Sequence, residues 1–146
     1  MSSSRVTASR TIAAPADRIF AILADPRQHP LIDGSGSVRA SISGPDRLRL
    51  DSRFGMDMRL GAPYKIRNRV VEFEEGRLIA WRHVGLHRWR YELAPQEEGS
   101  TLVTETWDLS AYPPPGRWVL NALYRARTQR AVEATLVKLE AAATGR

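Results

Sequence analysis

Apolar and polar positions alternate along most of the middle of the chain, the period of a strand with one face turned inward. Six such segments follow one another: Val38–Ser43, Leu48–Leu60, Tyr64–Phe73, Arg77–His83, His87–Ala94 and Ser100–Leu109. The breaks between them carry turn residues: Gly44-Pro45-Asp46, Gly61-Ala62-Pro63, Glu74-Glu75-Gly76, Gly85 and Glu98-Gly99. Breaks this short predict hairpins and an antiparallel meander. Ahead of them Val6–Ile12 reads as a further strand, with Val6, Ala8 and Ile12 on one face. Ala14-Pro15-Ala16-Asp17 then opens a helix whose apolar face is Ile19, Phe20, Ile22 and Leu23, and Asp25-Pro26 closes it. A second helical turn is expected over Arg27–Ile32, stopped by Gly34 and Gly36. After Pro113-Pro114-Pro115-Gly116, Arg117–Ala143 has the composition of one long helix.

Tight hairpins couple the parity of one strand to the next. On that basis Val70 is expected opposite Trp81, Trp81 opposite Trp89, Trp89 opposite Trp107, Tyr91 opposite Glu105, and Asn68 opposite His83. One face of the sheet then carries Met56, Met58, Ile66, Asn68, Val70, Ile79, Trp81, His83, His87, Trp89, Tyr91, Val103, Glu105 and Trp107. The other carries Arg47, Arg49, Arg53, Arg59, Lys65, Arg67, Arg69, Arg82, Arg88 and Arg90. The aromatic face is the inward one.

On the last helix Tyr124, Thr128, Ala131, Val132, Thr135, Leu136 and Leu139 form a stripe at helical spacing. The middle of that stripe is made of small side chains. Opposite tryptophans and methionines, small residues leave volume, and the expectation is an apolar cavity between helix and sheet. The residues expected to line it are Met56, Met58, Asn68, Trp81, Trp89, Tyr91, Trp107, Tyr124, Thr128, Ala131 and Thr135.

Composition narrows the class without naming a chemistry. A chain of 146 residues, 42% hydrophobic and 26% charged, fits a single globular domain over 1–146. There is no cysteine, which removes disulfide and thiolate chemistry. The polar start lacks a signal peptide's apolar core and no apolar run is long enough to span a bilayer, so a soluble, cytoplasmic protein is expected. The net charge is +6, and all the basic residues but Lys65 and Lys138 are arginine. That excess has two readings: a solvated sheet face in an arginine-rich composition, or a surface for an anionic partner such as an acidic acyl carrier protein. No aromatic residue shares the basic sheet face with these arginines, which disfavours single-stranded nucleic acid as the partner.

Several segments resemble the helix-grip fold of the SRPBCC superfamily, which includes the START-domain lipid carriers, the birch-pollen allergen and the polyketide cyclase/dehydrase-like proteins. They are Ile12–Phe20, Ala24-Asp25-Pro26, Asn68–Phe73, Ile79–Arg82, Gly99–Glu105 and the long last helix, so the likeness covers nearly the whole chain. It is closest to the polyketide cyclase/dehydrase-like branch. The resemblance implies an α+β domain: a seven-stranded antiparallel sheet curved around a long C-terminal helix, two short helices after the first strand, and a ligand pocket between sheet and helix. It does not imply a reaction.

Three titratable groups are candidates for acid–base chemistry: His83, His87 and Glu105. Two imidazoles beside the Asn68 amide can relay protons near neutral pH, and a buried Glu105 acquires a raised pKa. The plainer reading puts both histidines at the sheet rim around Gly85 and pairs Glu105 with Tyr91 or Arg127. Asp33 reads as a turn cap and His29, before Pro30, as a surface residue. Three histidines with no HxH or HExxH spacing make a poor metal set, and no GxSxG, P-loop or dinucleotide fingerprint is present, so neither metal nor cofactor is expected. The leading expectation is a binding protein for a small hydrophobic or aromatic molecule. The alternatives are a polyketide cyclase/dehydrase-like enzyme and an interaction module using the basic face. Oligomeric state is not legible.

Overall fold

The meander follows from its hairpins. In a computed structural model, which describes residues 4–82 and 85–145 and of Ile42 the backbone alone, the strands are β1 (Arg5–Ile12), β2 (Val38–Ser43), β3 (Arg53–Leu60), β4 (Ala62–Glu74), β5 (Leu78–Arg82), β6 (Arg88–Pro95) and β7 (Thr101–Asp108). They form one antiparallel sheet in the order β1-β7-β6-β5-β4-β3-β2. Consecutive strands from β2 to β7 are neighbours, and β1 closes the far edge against β7. The helices are α1 (Ala16–Leu23), a 3-10 turn at Pro26–Gln28 running into α2 (His29–Ile32), and α3 (Gly116–Thr144), which crosses the concave face. The fold class is the helix-grip α+β arrangement expected from the sequence.

The expected register holds at the positions that matter for the interior. Val70 pairs with Trp81, Trp81 with Trp89, Trp89 with Trp107, and Tyr91 with Glu105. Met56 and Met58 pair with Ile66 and Tyr64. A register shift in β4 between Val70 and Glu72 lets Phe73 face Ile79 and join the core side. The main core packs Ile12, Ile19, Phe20, Leu23, Phe54, Met56, Ile79, Leu93, Val103, Leu136 and Leu139, all at most 2% exposed.

Three local expectations are corrected. Strand β3 starts at Arg53, not Leu48, because Asp51 takes a left-handed backbone (φ 67°) in a turn closed by the Ser52 amide on the Arg49 carbonyl. Leu48 is instead wholly buried, and its amide bonds the Ala24 carbonyl at the end of α1. Arg47 and Arg49 therefore lie before the sheet rather than on its basic face; Arg47 covers the Phe20 ring and pairs with Glu75. His29 is not a surface residue. It is 6% exposed, stacks on Trp81 at 4.6 Å, and donates from Nε2 to the Leu23 carbonyl at 2.8 Å.

The third correction concerns the small residues of α3. They leave room for volume, and they also admit a loop. A Cβ on Gly34 would stand 2.4 Å from both the Ala131 carbonyl oxygen and the Thr135 nitrogen, so the chain after α2 rests directly on the helix backbone. Thr135 Oγ1 accepts from the Gly34 amide at 2.8 Å and donates to the Ala131 carbonyl at 2.9 Å. The next turn is capped by Asp33, whose carboxylate accepts from the Ser35 and Val38 amides, as its sequence context predicts.

Candidate functional site

Between the concave face of the sheet and α3 lies a cavity of about 470 Å³. Every residue expected to line it does so: Met56, Met58, Asn68, Trp81, Trp89, Tyr91, Trp107, Tyr124, Thr128, Ala131 and Thr135. Leu60, Tyr64 and Tyr124 line the same space and are 54%, 41% and 43% exposed, so it reaches solvent between the β3–β4 turn and α3.

Two aromatic groups wall it. The first joins His29, Phe54, Trp81 and Tyr91, with Trp81 lying 5.3 Å from Tyr91 and 5.8 Å from Phe54. The second joins Trp89 and Trp107, stacked at 6.0 Å, with the His87 ring set edge-on against them. Tyr112, from the segment after β7, fixes this second group. Its hydroxyl takes the Leu86 amide at 3.0 Å and shares a hydrogen bond with His87 Nδ1 at 3.0 Å. Gly85 makes the approach possible: it has φ 96°, and a Cβ there would lie 2.4 Å from the Tyr112 hydroxyl.

Glu105 is the charged-type residue buried deepest in this wall, at 2% exposure. It sits between Ala8 of β1 and Tyr91 of β6. Its partner is Tyr91, whose hydroxyl donates to Oε2 at 2.9 Å. Burial raises the Glu105 pKa to about 8; the Tyr91 hydrogen bond opposes this and the negative charge of Asp33 adds to it. Burial likewise lifts Tyr91 well above its ordinary value. Near neutral pH Glu105 is therefore mostly a carboxylic acid. Of the other acid–base candidates, His87 lines the cavity and His83 lies outside the described residues.

The site also uses residues that sequence reasoning missed. Phe54 was findable, since it precedes Met56 by two positions on the same strand. His29 and Tyr112 gave no such signal: His29 opens the four-residue α2 just before a proline and Tyr112 lies in the segment after β7, whereas Arg127, weighed from the sequence only as a partner of Glu105, lies off the apolar stripe of α3 and lines the cavity. No group of three or more His, Cys, Asp or Glu able to hold a metal occurs among the described residues. On the convex face Arg88 and Arg90 pair with Glu72, Arg90 also with Glu92, and Arg69 with Asp51.

With the fold and cavity in view, comparison with known proteins decides the family. A model of the family described as "Polyketide cyclase / dehydrase and lipid transport" matches residues 3–144. The chain belongs to this family. An uncharacterized protein of Mycobacterium tuberculosis (strain ATCC 25618 / H37Rv) is 45% identical over 108 residues, 73% of this chain and 48% of the relative. The chain thus spans about half the length of the curated relatives it matches. Among solved structures, a protein of Mycobacterium smegmatis aligns with a TM-score of 0.75 at 18% identity, covering 97% of this chain and 92% of that one. The di-domain ARO/CYC StfQ from the steffimycin biosynthetic pathway aligns with a TM-score of 0.69 at 20% identity, covering 98% of this chain and 51% of StfQ. At these identities the structural likeness speaks for the fold alone. No helix among the described residues is long and apolar enough to cross a membrane.

Proposed function

We propose that this member of the polyketide cyclase/dehydrase and lipid transport family binds a small hydrophobic or aromatic molecule in the cavity between the sheet and α3. The observation that carries the reading is the cavity itself: about 470 Å³, walled by Trp81, Trp89, Trp107, Met56 and Met58, within the range of small-molecule sites. Such walls gain free energy when apolar ligand surface replaces water against them. The test is titration with the neutral, apolar fluorophore N-phenyl-1-naphthylamine. Saturable binding to the wild type, weakened in Trp89→Ala, supports the reading; no saturable binding contradicts it.

A second reading is a cyclase/dehydrase-like reaction, and one observation favours it: Glu105 lines the cavity with a pKa near 8, suited to giving and taking a proton near neutrality. His87 and His83 are the accompanying candidates. On an identified substrate, full turnover in Glu105→Gln, His87→Ala and His83→Ala would remove this reading. Use of the basic face by an acidic carrier protein has less support, because its arginines Arg69, Arg88 and Arg90 already face carboxylates of the same chain.

A further inference from the structure

Along β4 the side chains that line the cavity are Tyr64, Ile66 and Asn68, and the next position on that face, Val70, is wholly buried in the core. Tyr64 stands where the cavity reaches solvent. Asn68 lies about 13 Å deeper along the strand, where the cavity ends on that wall. It is 5% exposed, and its neighbours on the face are apolar: Phe54, its cross-strand partner, with Ile66 and Val70 on either side. Among the described residues its carboxamide has no hydrogen-bond partner. Nor is it sealed off, since the side-chain atoms there that are both unpartnered and inaccessible are Arg90 Nε, Glu105 Oε1 and Trp107 Nε1. The small surface that Asn68 keeps accessible therefore opens on the cavity it lines.

A buried carboxamide without a partner costs free energy, and a leucine of the same outline would fill the position without that cost. The amide offers one acceptor oxygen and two N–H donors, and it carries no charge to titrate. The charged side chains lining the cavity are placed differently. The Asp33 carboxylate accepts from the Ser35 and Val38 amides, and Glu105 is held by Tyr91. Arg127 is exposed, so an anion beside it keeps most of its water and gains little selectivity. Asn68 is the open polar group at the dry end, where a hydrogen bond discriminates most.

We infer that Asn68 is the polar anchor of this cavity, so that its ligand is an apolar molecule carrying an uncharged group able to give and take a hydrogen bond, a hydroxyl or a carboxamide, with that group at the inner end and the apolar body toward the mouth. The inference rests on the proposed ligand-binding role of the cavity and adds which polar group the ligand carries and which way round it lies.

Equilibrium dialysis of the whole chain and of Asn68→Leu against 2-naphthol, 2-methylnaphthalene and 2-naphthoate tests this. The first two probes differ by a hydroxyl in place of a methyl group, and leucine repeats the outline of asparagine without its polar atoms. The naphthol should bind Asn68→Leu about tenfold more weakly than the wild type, while methylnaphthalene binds the variant at least as tightly. Urea denaturation without ligand gives a second readout: the midpoint of Asn68→Leu should rise, because an unmet amide has been removed. A lower midpoint shows that the carboxamide has a structural partner and overturns the anchor. A naphthol-to-methylnaphthalene preference that Asn68→Leu leaves unchanged overturns it too, while leaving a ligand-binding cavity in place. Tightest binding of the naphthoate, lost in Arg127→Gln and indifferent to Asn68→Leu, overturns it by moving selection to the mouth. Binding of none of the three to the wild type overturns the cavity reading and the anchor together.

Discussion

Tyr91 and Glu105 face each other across the β6–β7 ladder, and the tyrosine hydroxyl donates to the carboxyl group at 2.9 Å in a site closed to water on the sheet side. The groups that act on this carboxyl are Tyr91 from β6, which donates to it, and Asp33 from the loop after α2, whose negative charge favours the protonated acid; Arg127 lines the same cavity from α3. Burial is the largest influence on it, and burial favours the protonated acid.

That pKa sets the slope of stability with pH. Glu105 titrates near 8 in the folded chain against 4.5 when exposed, so between those values the native state binds more protons than the unfolded state. Stability from this group is present below about pH 4.5 and is lost as pH rises through about 8. Urea denaturation of wild type and Glu105→Gln across that window should show the wild type falling relative to the variant as pH rises. Parallel profiles would contradict the assignment.

His29 carries the opposite sign. Burial lowers its pKa to about 4 from 6.5, with the Leu23 carbonyl pulling weakly the other way. Between those values the unfolded chain binds more protons, so stability is lost as pH falls from about 6.5 through about 4. Full protonation costs on the order of 3 kcal/mol. Thermal unfolding against pH should show this acid loss in the wild type and a flatter profile in His29→Gln.

Gly34 should tolerate no side chain. A methyl group there meets the backbone of α3 at Ala131 and Thr135, which cannot yield as a flexible side chain would. Gly34→Ala is expected to destabilise the fold by roughly 1–3 kcal/mol in urea denaturation. A neutral substitution would show that the loop does not press on the helix.

Tyr112 ties the turn before β6 to the segment after β7. Tyr112→Phe removes the acceptor of the Leu86 amide and the partner of His87 Nδ1. The expected cost is about 0.5–1.5 kcal/mol, with faster hydrogen exchange at Leu86 than at β6 amides such as that of Tyr91. Unchanged exchange at Leu86 would contradict that role.

The sheet was legible because its hairpins are short: once Val70 is set opposite Trp81, parity alone carries the reading through Trp89 and Trp107 to the inward position of Glu105. Met56 and Met58 enter the cavity wall by the same rule. The departures have non-local causes. Nothing near Asp51 announces a left-handed residue, because that turn is held by Val70 across the sheet. His29 before a proline looks like a loop residue until Trp81 and Phe54 close over it. The small residues of α3 were read as space for a ligand, yet part of that space belongs to Gly34, whose approach depends on where the α2–β2 loop comes to rest. Tyr112 follows the last strand, where no periodicity assigns a direction.

A hydrophobic ligand is proposed to sit in the space between the sheet and α3. Thr128, small and 8% exposed, lines that space from the middle of the helix. N-phenyl-1-naphthylamine titration of the wild type beside Thr128→Trp, with circular dichroism to confirm that the variant is folded, tests the claim most directly. Saturable binding to the wild type is expected, and its loss when the indole occupies the cavity. Equal binding by both folded proteins would contradict it.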